Sequence, residues 1–212
     1  MKHEYRKHEK TLYAPKKKPE YVSIPKQNYF CIKGQGNPNH EDFAERVSIL
    51  YSLAYAIRMM PKNGFVPEGY FEYTVYPLEG LWHLTEEGRQ MATLNKDELL
   101  YTLMIRQPDF VTPEIAEKAF EIVKGKKPHP LLEMAYFTEI EDGLSVQMLH
   151  VGSYDTEKES FDQMKQFITE NQLQIKTLVH REIYLSDARR VAPEKLKTIL
   201  RYQVEKTEAP EE

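Results

Sequence analysis

The sequence predicts an α+β fold of two strand-helix-strand-strand modules related by a pseudo-two-fold axis, their strands forming an antiparallel sheet with the helices on one face. Two observations predict it. Phe43, the first apolar residue of one amphipathic stretch, follows the turn glycine Gly34 by nine positions, and Phe161 follows Gly152 by the same nine. Each half also runs strand, glycine turn, amphipathic helix, strand, and repetition of one supersecondary unit indicates an internal duplication. Two such modules set their helices side by side and leave a groove between them, a common place for a ligand.

Taken in order, residues 1–19 are charged and irregular and read as a lead-in. "YVSIPKQNYFCIKGQG" gives a strand interrupted at Pro25 and ending in a glycine turn. Phe43, Val47, Leu50, Ala54 and Ile57 recur every three or four residues, the spacing of a helix, which Pro61 and Gly64 end. "YFEYTVYPLEGLWHL" reads as two extended pieces broken at "PLEG", a hairpin or tight turn. "NKDELLYTLMIRQ" is expected as a short helix capped by Asn95 and stopping before Pro108. A further helix opens on Thr112 and Pro113 and stops at Gly125. Two strand-like runs then flank "EDG", a hairpin signal. "DTEKESFDQMKQFITENQL" is an amphipathic helix capped by Asp155 or Thr156, "HREIYLSD" a strand, and "APEKLKTILRYQVE" a short helix from Pro193 with a closing strand. The expected organisation is a single domain over 20–204, with modules at about 20–94 and 131–204, a helical connection over 95–130 and a flexible tail over 205–212.

A chain of 212 residues with 41% hydrophobic content fits one large domain or two small ones. No apolar run reaches the length of a membrane span, and "MKHEYRKHEK" lacks the apolar region of a secretory signal, so the expected compartment is the cytoplasm, with no membrane partner. The single cysteine, Cys31, sits in an apolar run and reads as buried packing. A net charge of −4 argues against direct nucleic-acid binding by broad electrostatics. The basic runs "PKKKP" and "KGKKPHP" are flanked by proline and read as solvated connections.

Several chemistries are absent from the pattern. "KGQGNP" lacks the lysine and hydroxyl residue of a phosphate loop, the seven histidines are scattered with no zinc-ligand spacing, and no nucleophile elbow surrounds Ser145, Ser153 or Ser160. Neither a metal nor a cofactor is expected. What remains is aromatic and acidic. In "HREIYLSD" strand alternation puts Glu182 and Tyr184 on one face and Ile183 and Leu185 on the other. A carboxylate in mid-strand is costly unless its face is wet, paired or turned to a ligand. A salt bridge with Arg181, Arg189 or Arg190 and a ligand-facing role both stand open. Trp82 is a core plug or a stacking platform, and Tyr51 and Tyr55, one helical turn apart, are expected to pack on the sheet.

"LYAPKKKPEYVSIPKQNYFCIKGQGNP", "YPLEGLW", "MIRQPDFVTPE", "LHVGSYDTE" and "HREIYLSDARRVAPEKLKTILRY" together resemble the stand-alone branch of the GyrI-like small-molecule-binding family, from about Leu12 to Val204. That family includes effector-binding domains of multidrug-sensing transcription regulators. The resemblance implies the duplicated module, known as SHS2, and a glutamate on the penultimate strand inside the ligand groove, matched here by Glu182. Ser153 and Ala188 stand where the family often has proline, a difference of turn stiffness. About a dozen residues precede the match, so no helix-turn-helix domain is expected within the chain. Some stand-alone members are understood to hydrolyse cyclopropane-bearing, DNA-alkylating toxins. The resemblance therefore implies a hydrolase in which Glu182 is catalytic and Trp82, Tyr184, Tyr76, Tyr136 and Tyr55 contact an aromatic small molecule. The alternative is a non-catalytic protein that sequesters planar or cationic ligands, with Glu182 as counter-ion.

Overall fold

The computed structural model describes residues 2–207. Its elements are α1 (Tyr5–His8), α2 (Lys10–Tyr13), β1 (Glu20–Ile24), β2 (Gln27–Gln35), α3 (Glu41–Met59), β3 (Leu78–Leu84), α4 (Glu86–Gln90), β4 (Leu99–Gln107), α5 (Pro113–Lys126), β5 (Ala135–Ile140), β6 (Gly143–Val151), α6 (Glu157–Glu170), β7 (Leu173–Tyr184) and β8 (Lys197–Lys206). Residues 208–212 of the expected tail lie outside the described residues, whereas Glu205 and Lys206 close β8.

The described residues form two compact units that interleave along the sequence: residues 2–8 with 27–140, and residues 9–26 with 141–207. In the first unit β4 lies between β3 and β2, and β5 takes the other side of β2, every pairing antiparallel. In the second unit β8 lies between β7 and β6, and β1 takes the other side of β6, again antiparallel throughout. Each unit therefore repeats one order: the strand before the long helix, the third strand, then the second. Both units run strand, helix, strand, strand with one extra edge strand in each, but in the first unit the last strand is β4, which lies outside the expected 20–94 and was expected as a helix.

The helices form where the apolar period predicts. On α3, Ile49, Leu50, Leu53 and Ile57 are at most 1% exposed, and the helix packs on β2 and β4. Phe30, on β2, meets Phe120 of α5 and Phe137 of β5 edge to face. The alternate residues Tyr29 and Cys31 pack with Met104 on the opposite face. In the second unit Met164 and Ile168 of α6 close over Val146, Met148, Leu200, Tyr202 and Val204. The thiol of Cys31 is wholly buried, as expected of a packing residue.

Three local readings are corrected. "LLYTLMIRQ" is the strand β4, and only Lys96–Glu98 turn helically, with the Asn95 side chain accepting from the Asp97 amide. Residues 95–130 are thus not a helical connection, because β4 sits between β2 and β3. The apolar run is buried on both faces, so it shows no two-residue alternation to mark it as a strand. "PLEG" is no turn: β3 runs unbroken from Leu78, and the preceding segment is held by a bridge from His3 to Tyr73. "EDG" does turn, with Gly143 at φ 64°, but β5 pairs with β2 while β6 pairs with β1 and β8. The pairing there is long-range, and no hairpin forms.

Candidate functional site

Strand β7 positions the carboxylate that the sequence singled out. His180, Glu182 and Tyr184 stand opposite Tyr202, Leu200 and Thr198 of β8, so these side chains share one face, the one that α6 covers. The His180 Nε2–H donates to Glu182 Oε1 at 2.9 Å, and the Tyr184 hydroxyl donates to Glu182 Oε2 at 2.7 Å. Each oxygen of the buried carboxylate is thereby satisfied. His180 is itself wedged against Phe161, with ring centroids 4.7 Å apart.

The expected salt-bridge alternative is not what the structure contains. Arg181 points to the opposite face and pairs with Asp142, while Arg189 and Arg190 pair with Asp187. On that opposite face Arg201 also donates to Gln147, and both side chains reach back to the carbonyls of Leu12 and Thr11. Strand β7 thus has an apolar and acidic face under α6 and a polar face buttoned to residues 9–26 of the same unit.

Glu157 and Tyr154 were not singled out by the sequence, and Asp155 only as a candidate helix cap. Glu157 opens α6 and is buried, with its carboxyl acting on that of Glu182. Burial first, then the charge of Glu182 and the hydrogen bond to it, push the Glu157 carboxyl up to about 9. The Tyr154 phenol is pushed up to about 12 by burial and by the charges of Glu157, Glu182 and Asp187, and its ring meets Tyr184 edge to face at 6.0 Å. The turn that aims Glu157 is itself fixed. His150 bonds Ser160 of α6 through Nδ1 and the Ser153 carbonyl through Nε2, at 2.9 and 3.0 Å. Gly152 lies so close that a Cβ there would come within 2.8 Å of Thr156 Oγ1. His180 could have been found in the sequence, since it shares strand parity with Glu182 and Tyr184.

The remaining expected contacts all lie in the first unit. Trp82 is buried between Phe43 and Tyr101, with centroids 6.0 and 5.2 Å away, which makes it a core plug. Tyr76 is buried, stacked on Tyr5 at 5.5 Å, and carries the Arg106 guanidinium 4.6 Å from its ring centroid. Tyr136 is half-buried beside Tyr29, Cys31 and Met104, and burial, then Cys31, raise its phenol. Tyr55 is 53% exposed on α3, 6.5 Å from Tyr51, so it does not pack on the sheet as expected. A cleft of about 880 Å³ between α5 and β5 is lined by none of these residues. Its rim carboxylates Asp109, Glu117, Glu133 and Glu139 are exposed, whereas Glu182 is buried with both oxygens hydrogen-bonded.

The lone tryptophan offers a direct check on the first unit. A Cβ on Gly80 would collide with the Trp82 indole nitrogen. Gly80→Ala is expected to displace the ring and destabilise the protein by about 1–3 kcal/mol, the usual range for overpacking. A changed emission maximum with a lower melting temperature supports this packing; an unchanged spectrum refutes it.

Two antiparallel units, each running strand, helix, strand, strand, make up an α+β protein, one of them carrying a buried carboxylate clasped by an imidazole and a phenol. The chain belongs to the GyrI-like family: the model of the GyrI-like small molecule binding domain matches residues 17–204. A hydrolase from Listeria innocua is 38% identical over 96% of this chain and 100% of its own, with a TM-score of 0.87. An uncharacterized conserved protein from the same organism is 39% identical over 96% and 100% of the two chains, with a TM-score of 0.89. The C-terminal domain of EcmrR, 14% identical, shares the fold, with a TM-score of 0.53 over 90% of this chain and 98% of its own. No curated protein matches. Among the described residues no helix is long and apolar enough to cross a membrane, and no group of histidine, cysteine and carboxylate side chains is placed to hold a metal.

Proposed function

We propose that the protein binds a planar electrophilic small molecule against Glu182 and hydrolyses it, with cyclopropane-bearing toxins as the substrate class. The observation that carries this reading is the buried Glu182 carboxylate, oriented by His180 and Tyr184 through bonds of 2.9 and 2.7 Å. Likeness to a Listeria innocua hydrolase over nearly the whole chain supports it. Glu182 takes a proton from a water as the water oxygen attacks the ring methylene. The strained carbon–carbon bond breaks, and its electron pair passes through the conjugated system to the carbonyl oxygen. That oxygen stays on the product and takes the proton back from Glu182, becoming a phenolic hydroxyl. Tyr154, whose phenol stays protonated well past neutral pH, supplies a hydrogen bond to the oxygen as charge develops.

A second reading, sequestration of a planar cation, is favoured by the rings of Tyr154, Tyr184 and Phe161 around the carboxylates. Multiple-turnover consumption of an aromatic cyclopropane electrophile, with chromatography of the ring-opened product, separates the two. Glu182→Gln is expected to fold and to lose roughly 10²–10⁴-fold in turnover, the usual contribution of a positioned base. Equal turnover by the variant removes Glu182 from the chemistry. Stoichiometric binding without product in either protein establishes the receptor.

A further inference from the structure

We propose that Glu157 is the positioning residue of this site: it holds the one proton shared by the carboxyl pair, donates it in a hydrogen bond to Glu182, and so fixes Glu182 as the charged partner. The inference rests on the reading that Glu182 meets the ligand, but the proton itself can be observed without one.

Two carboxylates are acceptors only, so a hydrogen bond between Glu157 and Glu182 requires a proton on one of them. The remaining contacts decide which. Both oxygens of Glu182 already receive donors, from His180 and Tyr184. Glu157 Oε1 is buried and receives none. An ionised Glu157 would leave a buried charge uncompensated, whereas the neutral acid donates once and keeps only a carbonyl-like oxygen. The groups acting on Glu157 are of one sign: Glu182 from β7 and Asp155 from the turn before α6. Tyr154 and Tyr184 are phenols, and His180 is turned to Glu182. The raised Glu157 titration agrees with this geometry.

The consequence is a division of labour. Glu157 neither gives up its proton during turnover nor touches the reacting atoms. It holds the Glu182 carboxylate in place and keeps the pair at a single negative charge. Once Glu157 ionises, two adjacent carboxylates repel, the bond between them is lost, and Glu182 is no longer oriented.

Two readouts test the proposal. In protein carrying ¹³C-carboxyl glutamate, one resonance is expected to titrate on the alkaline side of neutrality, to vanish in Glu157→Gln, and to move to lower pH in Glu182→Gln. In turnover of the cyclopropane electrophile, kcat of the wild type is expected to fall as pH rises through about 9. Glu157→Gln, whose amide donates permanently, retains kcat there; Glu157→Leu, with no donor, loses roughly tenfold or more in kcat at every pH with little change in KM. The proposal is overturned if no glutamate titrates above neutrality, or if Glu157→Gln keeps the wild-type alkaline limb. Should the resonance behave as stated while no protein turns over substrate, the hydrolase reading fails and the proton assignment stands.

Discussion

Arg181→Met is expected to destabilise the protein by about 3–5 kcal/mol, the largest effect of any single substitution near the site, and to lower its melting temperature by on the order of 10 °C. The Arg181 and Asp142 side chains are 3% and 4% exposed, with Nε to Oδ2 at 2.8 Å, and a second guanidinium nitrogen reaches Oδ1 at the same distance. Burial works to raise the Asp142 carboxyl, but the charge and hydrogen bonds of Arg181, with Arg201 and Gln203, outweigh it and hold the group below its ordinary value. Removing the arginine strands that charge in a site water does not reach. The companion exchange Arg181→Met with Asp142→Leu leaves no ion behind and is expected to recover most of the loss. Thermal unfolding of the three proteins checks both statements; a single variant as stable as the double one means the pair is hydrated.

Glu157→Gln is expected to be more stable than the wild type at pH 8 and about equal to it at pH 4. The folded-state titration of Glu157 is raised from 4.5 to about 9, so folding is favoured by protons in that window. The associated stability is fully present below 4.5 and drains away as pH rises toward 9, by up to about 1.4 kcal/mol for each pH unit. Glutamine does not titrate, fills the same volume and keeps a donor toward Glu182. The difference in unfolding free energy between variant and wild type should therefore climb from near zero to several kcal/mol across this range. Denaturant melts at four or five pH values give the curve directly, and a flat difference refutes a buried, shared proton. A site kept at the expense of stability is common where chemistry or binding needs it.

The helices were legible from two signals: α3 and α6 appear where their amphipathic patterns put them, and α5 opens where Thr112 before Pro113 implies, with Thr112 as its cap. Glu182 and Tyr184 were legible too, since strand alternation alone sets them on one face. β4 was not, because a strand covered on both sides loses its period, and leucine and methionine suit a helix equally well. Glu157 was invisible for a different reason. In "DTEKES" it looks like any acidic residue of a first helical turn, where solvated carboxylates are common. Only the packing of α6 on β7 converts that charge into a buried partner. The surroundings of the aromatic residues were not legible: Trp82 and Tyr76 pack among other rings, and Tyr55 faces out, none of which strand or helix parity reveals.

The crossing of residues 9–26 into the second unit sets an order for synthesis. Glu20 lies 127 residues before Gln147, its partner across the β1–β6 ladder. On a translating ribosome β1 therefore emerges long before the strand it must join, and it waits while the whole of the first unit is made. Translation at about 5–20 residues per second makes that interval several seconds or more. Closing so distant a contact slows folding, and an unpaired strand edge is open to wrong partners in the meantime.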